Sequence, residues 1–153
     1  MFSPAGSRAA SAYKKVGIET SVDGADPHRL VALLFDALLQ ALANARAAME
    51  RGDTQRKGEQ IVRAVRFLEE GLKAGLNTAN EDELVLNLRG VYDYSIARLT
   101  QANFRNDMKL LDEVIGLIEP LADAWNTIGA KAASPARQPS SQAPQASQAI
   151  GVQ

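Results

Sequence analysis

Apolar residues recur every three or four positions along four successive stretches of this 153-residue chain, and residues that start or stop helices bound each stretch. Such spacing gathers apolar side chains on one side of an α-helix. Because each stretch is roughly 20 residues long and the connections are short, consecutive helices must run antiparallel. The sequence predicts an all-α fold, an up-down-up-down four-helix bundle.

The connection between the first two helices has the clearest signals. Asp26 can cap the N-terminus of the first helix, and Pro27 suits its first position, where an N–H would have no partner. The helix is predicted to run to about Glu50. Gly52 then ends it, and Asp53 can cap the second helix at once, so the two helices are expected to be neighbours.

The later boundaries rest on asparagine and aspartate. Asn80, with Glu83 three residues later, resembles a capping box and predicts the start of the third helix. That helix is predicted to end at Asn103. Residues 106–107, Asn-Asp, cap the fourth helix, which is predicted to end near Asn126 and to bend at Pro120, where the ring removes a backbone hydrogen bond.

Three regions follow from this organisation. Residues 1–25 are an arm and hinge, residues 26–128 are the helical bundle, and residues 129–153 are a tail of mostly Ala, Ser, Pro and Gln. Such a tail cannot bury enough apolar surface to offset the entropy lost on ordering, so it is predicted to be disordered.

Three of the helices carry apolar or small residues outside their core stripes, which is more than one packed bundle face needs. Large contiguous apolar patches usually mark interaction sites, and a ridge of leucines suits a partner helix lying alongside. A homo-oligomeric structural bundle would use the same surface, and that alternative stays open. The candidate partner-binding residues are Ala64, Phe67, Gly71 and Ala74 of the second helix, Leu86, Gly90, Tyr94 and Ala97 of the third, and Leu110, Leu117 and Leu121 of the fourth.

Composition argues against several classes of function. A net charge of −1 gives no basic surface for nucleic acid, and the absence of cysteine excludes disulfides and thiolate chemistry. No signal peptide and no stretch of about 18 uninterrupted apolar residues are present, so we expect a soluble cytosolic protein without membrane insertion.

Catalysis is not expected either. His28, the only histidine, falls in the first turn of the first helix, and a di-iron bundle needs a Glu-x-x-His pair from each of two helices. We therefore predict no enzyme activity, no cofactor and no metal. A histidine-dependent phosphotransfer domain remains as an alternative that a His28→Ala substitution would test.

Several segments, in order and spacing, resemble the flagellar secretion chaperones of the FliS family. The resemblance runs from about Ala12 to Asn126. It is carried by residues 12–20 (AYKKVGIET), 27–30 (PHRL) and 87–94 (NLRGVYDY), with Arg98-Leu99, Ala102-Asn103, Asp107, Glu113-Val114 and Ala124-Trp125.

The resemblance implies a cytosolic export chaperone that binds the disordered C-terminal segment of flagellin. Such a chaperone prevents premature polymerisation and helps to deliver flagellin to a component of the export gate. In this family an N-terminal arm can cover the binding surface of the free protein. Here Tyr13, Val16 and Ile18 are the arm residues expected to occupy that surface until flagellin displaces them.

Overall fold

The computed structural model describes residues 26–76 and 82–142, with side chains described as far as residue 130. The helices are α1 (Pro27–Glu50), α2 (Thr54–Arg66), continued by a π-helical segment (Phe67–Lys73), α3 (Glu83–Arg105) and α4 (Met108–Gln142). The predicted all-α fold is confirmed. Two compact units are distinguished, Met1–Ala122 and Asp123–Gln153, and the packing described below belongs to the first.

The turn between α1 and α2 forms as the sequence predicts. Asp26 Oδ1 accepts a hydrogen bond from the backbone N–H of Arg29 at 2.7 Å, and Pro27 lies at the start of the helix. Gly52 has a φ of 76°, a left-handed conformation that favours glycine. Asp53 Oδ1 accepts a hydrogen bond from the backbone N–H at position 56 at 3.0 Å, which starts α2 directly after the turn.

The start of α3 differs from the prediction. Asp82 Oδ1 accepts a hydrogen bond from the backbone N–H of Val85 at 2.9 Å, and the helix begins at Glu83. The predicted capping box of Asn80 and Glu83 is therefore wrong. A capping residue directly precedes the first helical residue, and Asp82 takes that position; Asn80 itself lies outside the described residues.

The corner between α3 and α4 is held by the side chain of Asp107 within the corner and by that of Lys57 from α2. Asn106 has a φ of 54° and ends α3, and Asp107 Oδ1 accepts a hydrogen bond from the backbone N–H of Lys109 at 2.9 Å. Lys57 of α2, only 3% exposed, donates from Nζ to the backbone carbonyl of Asn103 at 2.9 Å. A cation at this position complements the negative end of the helix dipole.

The fourth helix is longer than predicted. It continues to Gln142, so the prediction that it ends near Asn126 is wrong. Alanine is the strongest helix former, and the alanines after Gly129 favour continuation of the helix. Residues 143–153 lie outside the described part of the chain, where disorder stays a prediction.

Pro120 lies within α4 and is exposed, as is Gly116. Proline has no N–H to donate to the carbonyl of Gly116, and the exposure of both residues leaves that carbonyl on the solvent side of the helix. Water can therefore replace the missing hydrogen bond, and the bend at Pro120 stays a prediction.

Contacts between neighbouring helices show that they run antiparallel. From α1 to α2, Asn44 Nδ2 donates to Gln60 Oε1 at 3.3 Å, while Leu34 lies against Gly71. Residue numbers therefore rise on one helix as they fall on the other. Polar contacts also join α2 to α3, α3 to α4 and α1 to α4. They are Lys57–Asn103 and Lys73–Asp93, Tyr94–Glu113 and Arg98–Glu113, and Arg46–Asp112, respectively.

Apolar side chains from all four helices form the core. By length and composition alone α1 is apolar enough to cross a membrane, with a mean hydropathy of 1.4 over its most apolar window, and its leucines supply much of this core. The large buried apolar side chains are Leu30, Leu34, Phe35, Leu38, Leu42, Ile61, Phe67, Leu68, Leu72, Tyr92, Leu99, Leu111, Val114 and Ile118.

The seam between α1 and α2 overturns part of the predicted binding surface. Ala64 and Phe67 are 0% exposed and Gly71 is buried, so the prediction that they line an exposed groove is wrong. A Cβ at Gly71 would lie 3.1 Å from Cδ2 of Leu34. The absence of a side chain at Gly71 lets Leu34 of α1 approach closely, and the buried Phe67 lies one helical turn before Gly71.

Gly71→Ala tests this close approach. The added methyl must displace Leu34, which is 1% exposed, and overpacking of this kind costs about 1–3 kcal/mol, against a gain in helix propensity of up to about 1 kcal/mol. We expect a net loss of stability on chemical denaturation. Gly90→Ala is the matched control, because nothing lies within 4 Å of its Cβ position, and it should stabilise by about 0.5–1 kcal/mol. Stabilisation by both substitutions would contradict the tight seam.

Candidate functional site

The side of α3 that points away from the core carries an apolar surface. Leu86, Gly90 and Ala97 are exposed there, as a binding role for them requires. Phe104 lies 18 residues after Leu86, which is five helical turns, so it falls on the same side of the helix. It is 88% exposed. Phe104 is not among the residues predicted from the sequence, although its spacing from Leu86 is the signal that identifies it.

Three leucines of α4 border this surface. Leu110, Leu117 and Leu121 are half-buried and lie in one row with Glu113. Because Glu113 bonds to side chains of α3, the row runs along the boundary between the two helices. We define the α3–α4 face as Leu86, Gly90, Tyr94, Ala97 and Phe104 of α3 with Leu110, Leu117 and Leu121 of α4.

The antiparallel packing sets the levels at which these residues meet. Tyr94 contacts Glu113. Gly90, one turn before Tyr94, therefore lies at the level of Leu117, one turn after Glu113. By the same argument Leu86 lies at the level of Leu121. One part of the face thus combines apolar residues from both helices.

A polar cluster of Tyr94, Arg98 and Glu113 interrupts the apolar face. The Tyr94 hydroxyl donates to Glu113 Oε2 at 2.5 Å, and Arg98 Nε donates to Oε1 of the same carboxylate at 2.8 Å. These hydrogen bonds, that from Tyr94 first, lower the pKa of Glu113 below its ordinary value. The bond to Glu113 also raises the pKa of the Tyr94 hydroxyl and that of the Arg98 guanidinium.

The cluster gives the face a fixed polar centre. The Arg98 guanidinium lies 5.4 Å from the centroid of the Tyr94 ring, so this ring is held by its hydroxyl and by one of its faces. Tyr94 remains 43% exposed. The face therefore presents apolar side chains on both sides of an aromatic ring that has charged neighbours.

The structure does not unite all the predicted site residues. Ala64, Phe67 and Gly71 are buried and present no surface to a partner. Ala74 is exposed just after the π-helical segment. The exposed residues of the predicted site are therefore mainly those of α3 and α4. The side of α2 that was predicted to form a groove is instead packed against Leu34 of α1 at Gly71.

Other predictions fall partly outside the described residues. The arm residues Tyr13, Val16 and Ile18 lie in residues 1–25, which the structure does not describe. His28 is half-buried in the first turn of α1. Within the described ranges, no group of three or more His, Cys, Asp or Glu side chains could hold a metal ion.

Tyr94→Phe tests the polar cluster. Loss of the donated hydrogen bond should raise the pKa of Glu113 towards its ordinary value, which carboxyl-carbon NMR can follow during a pH titration. Because the folded-state pKa of Glu113 is lowered, its contribution to stability is present above the unfolded pKa of about 4.3 and is lost as pH falls through the folded value.

Tyr94→Phe should therefore cost stability near neutral pH and much less in acid. The control is Tyr92→Phe. Burial raises the pKa of Tyr92 to about 12. Removal of the Tyr92 hydroxyl should leave the pKa of Glu113 unchanged. An unaltered Glu113 titration in Tyr94→Phe would show that the hydroxyl does not determine this pKa.

Comparison with known proteins places these features in a family. The family model described as flagellar protein FliS matches residues 9–132, which include the whole α3–α4 face. The flagellar secretion chaperone FliS of Salmonella typhimurium is 45% identical over 121 residues, covering 79% of this chain and 90% of that relative. FliSB of Pseudomonas aeruginosa is 42% identical over 79% of this chain and 95% of the relative. FliS of Bacillus subtilis is 36% identical, with coverages of 70% and 78%. The chain belongs to the FliS family of flagellar secretion chaperones.

Proposed function

We propose that this protein is a cytosolic chaperone, without enzyme activity, that binds the disordered C-terminal segment of flagellin on the α3–α4 face. The observation that carries the proposal is the exposed apolar side of α3, from Leu86 to Phe104, next to the leucine row of α4. In a family of flagellar secretion chaperones, such a face suits an unfolded export client. Binding would prevent premature polymerisation and keep flagellin ready for a component of the export gate.

The energetics favour an amphipathic client segment. A disordered segment that folds on binding loses about 2–5 kcal/mol or more through ordering. Burial of a leucine or phenylalanine side chain returns roughly 1.5–3 kcal/mol. Leu86 and Phe104 lie five turns apart, so a client helix lying along α3 can bury apolar side chains at both ends of the face.

The N-terminal arm is proposed to cover this face in the free protein. Helices α1 and α3 run in the same direction in the antiparallel bundle, so Asp26, which follows the arm in the sequence, lies at the end where α3 begins. Leu84 is 65% exposed and Leu86 47% exposed at that end. Tyr13, Val16 and Ile18 supply apolar side chains that can bind there until flagellin displaces them.

Substitutions on α3 test the proposed flagellin site. Leu86→Ser and Phe104→Ser should each weaken flagellin binding about tenfold or more in titration calorimetry, since each removes a large apolar contact. Helicity and melting temperature should stay nearly unchanged, because both side chains are exposed.

Val62→Ser is the matched control. Val62 is 54% exposed on α2 and lies outside the α3–α4 face, so its loss should not affect flagellin affinity. Equal effects of all three substitutions, or none, would contradict the proposal. If purified protein instead forms one stable larger species that Leu86→Ser dissociates, the face serves self-association.

Deletion of residues 1–20 tests the arm. A covering arm lowers the apparent affinity by the fraction of protein that is open, so its removal should tighten flagellin binding measured by calorimetry. Addition of the same residues as a free peptide should reverse the gain. Unchanged or weaker binding after deletion would show that the arm is not a competitor.

A further inference from the structure

Apart from the α3–α4 face, the bundle has a recess between α1 and α2. Its volume is about 540 Å³. It is separate from the α3–α4 face, because none of its lining residues comes from α3 or α4. The lining residues are Ala37, Gln40, Ala41 and Asn44 of α1 and Arg56, Gln60 and Arg63 of α2, and we call this recess the α1–α2 groove.

Amide side chains form a connected row in the α1–α2 groove. Gln40 Nε2 donates to Asn44 Oδ1 at 3.1 Å, and Asn44 Nδ2 donates to Gln60 Oε1 at 3.3 Å. Each amide carries two N–H donors and a carbonyl acceptor, so the row keeps further groups of both kinds. An extended peptide backbone, which presents alternating donors and acceptors, can bond to such a row.

The charged side chains of the groove are both arginines. No carboxylate lines it, and neither Arg56 nor Arg63 has an ion-pair partner within residues 26–76 and 82–130. Arg46 and Arg98, by contrast, each pair with a carboxylate of α4. The groove therefore concentrates positive charge that this part of the chain does not neutralise.

Arg63 is held in place by the core. Its guanidinium lies 5.0 Å from the centroid of the buried Phe67 ring. Stacking occupies the flat face of a guanidinium and leaves the N–H donors around its edge free to bind a carboxylate. Because this contact already restricts the Arg63 side chain, less side-chain entropy is lost when Arg63 binds an anion.

A smaller recess continues beyond Arg63 on the outer side of α2. It measures about 280 Å³ and shares Gln60 and Arg63 with the α1–α2 groove. Arg66 also lines it but is paired with Glu70 at 3.3 Å, and Glu59 is its one acidic residue, which accepts a hydrogen bond from Gln55 at 3.3 Å. Among the arginines that line the two recesses, those without an ion pair in residues 26–76 and 82–130 are thus Arg56 and Arg63, about two helical turns apart on α2.

The chain's own ends do not supply a complementary occupant. Residues 1–25 carry Arg8, Lys14 and Lys15 against Glu19 and Asp23, and residues 131–153 carry two basic side chains and no acidic one. A net charge of −1 disfavours nucleic acid, which needs an extended basic surface. An acidic protein segment from another molecule satisfies both the arginines and the amide row.

We infer that the α1–α2 groove binds an acidic, extended peptide segment of a partner protein. Its carboxylates pair with Arg56 and Arg63, and its backbone bonds to the amides of Gln40, Asn44 and Gln60. The inference does not depend on flagellin binding at the α3–α4 face. The protein would then hold an apolar client and an acidic partner on separate surfaces at the same time.

The test uses the full chain and a labelled ten-residue peptide of alternating glutamate and serine, with a glutamine-serine peptide as its neutral match. Fluorescence anisotropy at low ionic strength measures affinity, and amide NMR shifts locate the site. Arg56→Gln and Arg63→Gln should each weaken glutamate-peptide binding about tenfold, as expected for loss of a charge-assisted hydrogen bond. Arg29→Gln, an equal change of charge outside the groove, should have no effect.

Further measurements separate binding from folding. Arg63→Lys retains the charge above Phe67 and should keep most of the affinity, while circular dichroism confirms that each variant is folded. Binding should fall as salt is raised, because the Debye length is only about 10 Å at 0.1 M.

Several results would overturn the inference. One is binding of the glutamine-serine peptide as tightly as the glutamate-serine peptide. Another is the same glutamate-peptide affinity in Arg56→Gln, Arg63→Gln and Arg29→Gln. A third is amide NMR shifts confined to α3 and α4. Preference for a single-stranded oligonucleotide over the glutamate peptide would overturn it too, as would self-association that Arg56→Gln abolishes. Flagellin affinity should be unaltered in Arg56→Gln, so failure here is distinguishable from failure at the α3–α4 face.

Discussion

The close packing of α1 against α2 determines which surfaces of this bundle remain available. Gly71 lets Leu34 approach, and Phe67, one helical turn before Gly71, is fully buried. With that seam sealed, the exposed large apolar side chains that line a continuous surface are on α3, next to α4. The placement of one glycine therefore bears on where an apolar client can bind, even though that glycine contacts no partner.

The two surfaces differ in chemistry in a way that suits separate tasks. The α3–α4 face presents leucines and Phe104 around one ordered tyrosine, whereas the α1–α2 groove presents arginines and amides. Apolar contacts are tolerant of sequence because they need only shape and area. Guanidinium pairs require charge in fixed positions, which makes them more selective.

Local signals in the sequence predict much of the fold. Asp26, Gly52 and Asp53 act through their own backbone neighbourhood, so their roles follow from residue type and position. Phe67 could not be assigned in this way. A helical projection gives the direction in which its side chain points, but which helix covers that direction depends on tertiary packing. Phe104 shows the reverse case, since its exposure follows from a spacing that the sequence contains.

Lys57 has a consequence for the last turn of α3. Lys57 is almost fully buried, and its ammonium group donates a hydrogen bond to the carbonyl of Asn103. Fraying of that turn would break this hydrogen bond and leave a buried charge without its acceptor, which is costly. Phe104 is the next residue along the chain. Its ring is exposed, while the carbonyl that precedes it in the chain, that of Asn103, accepts the hydrogen bond from Lys57 and so restrains the main chain there. Binding at this ring would order little additional main chain of this protein. Less conformational entropy would therefore be lost, and the contact would contribute more to affinity.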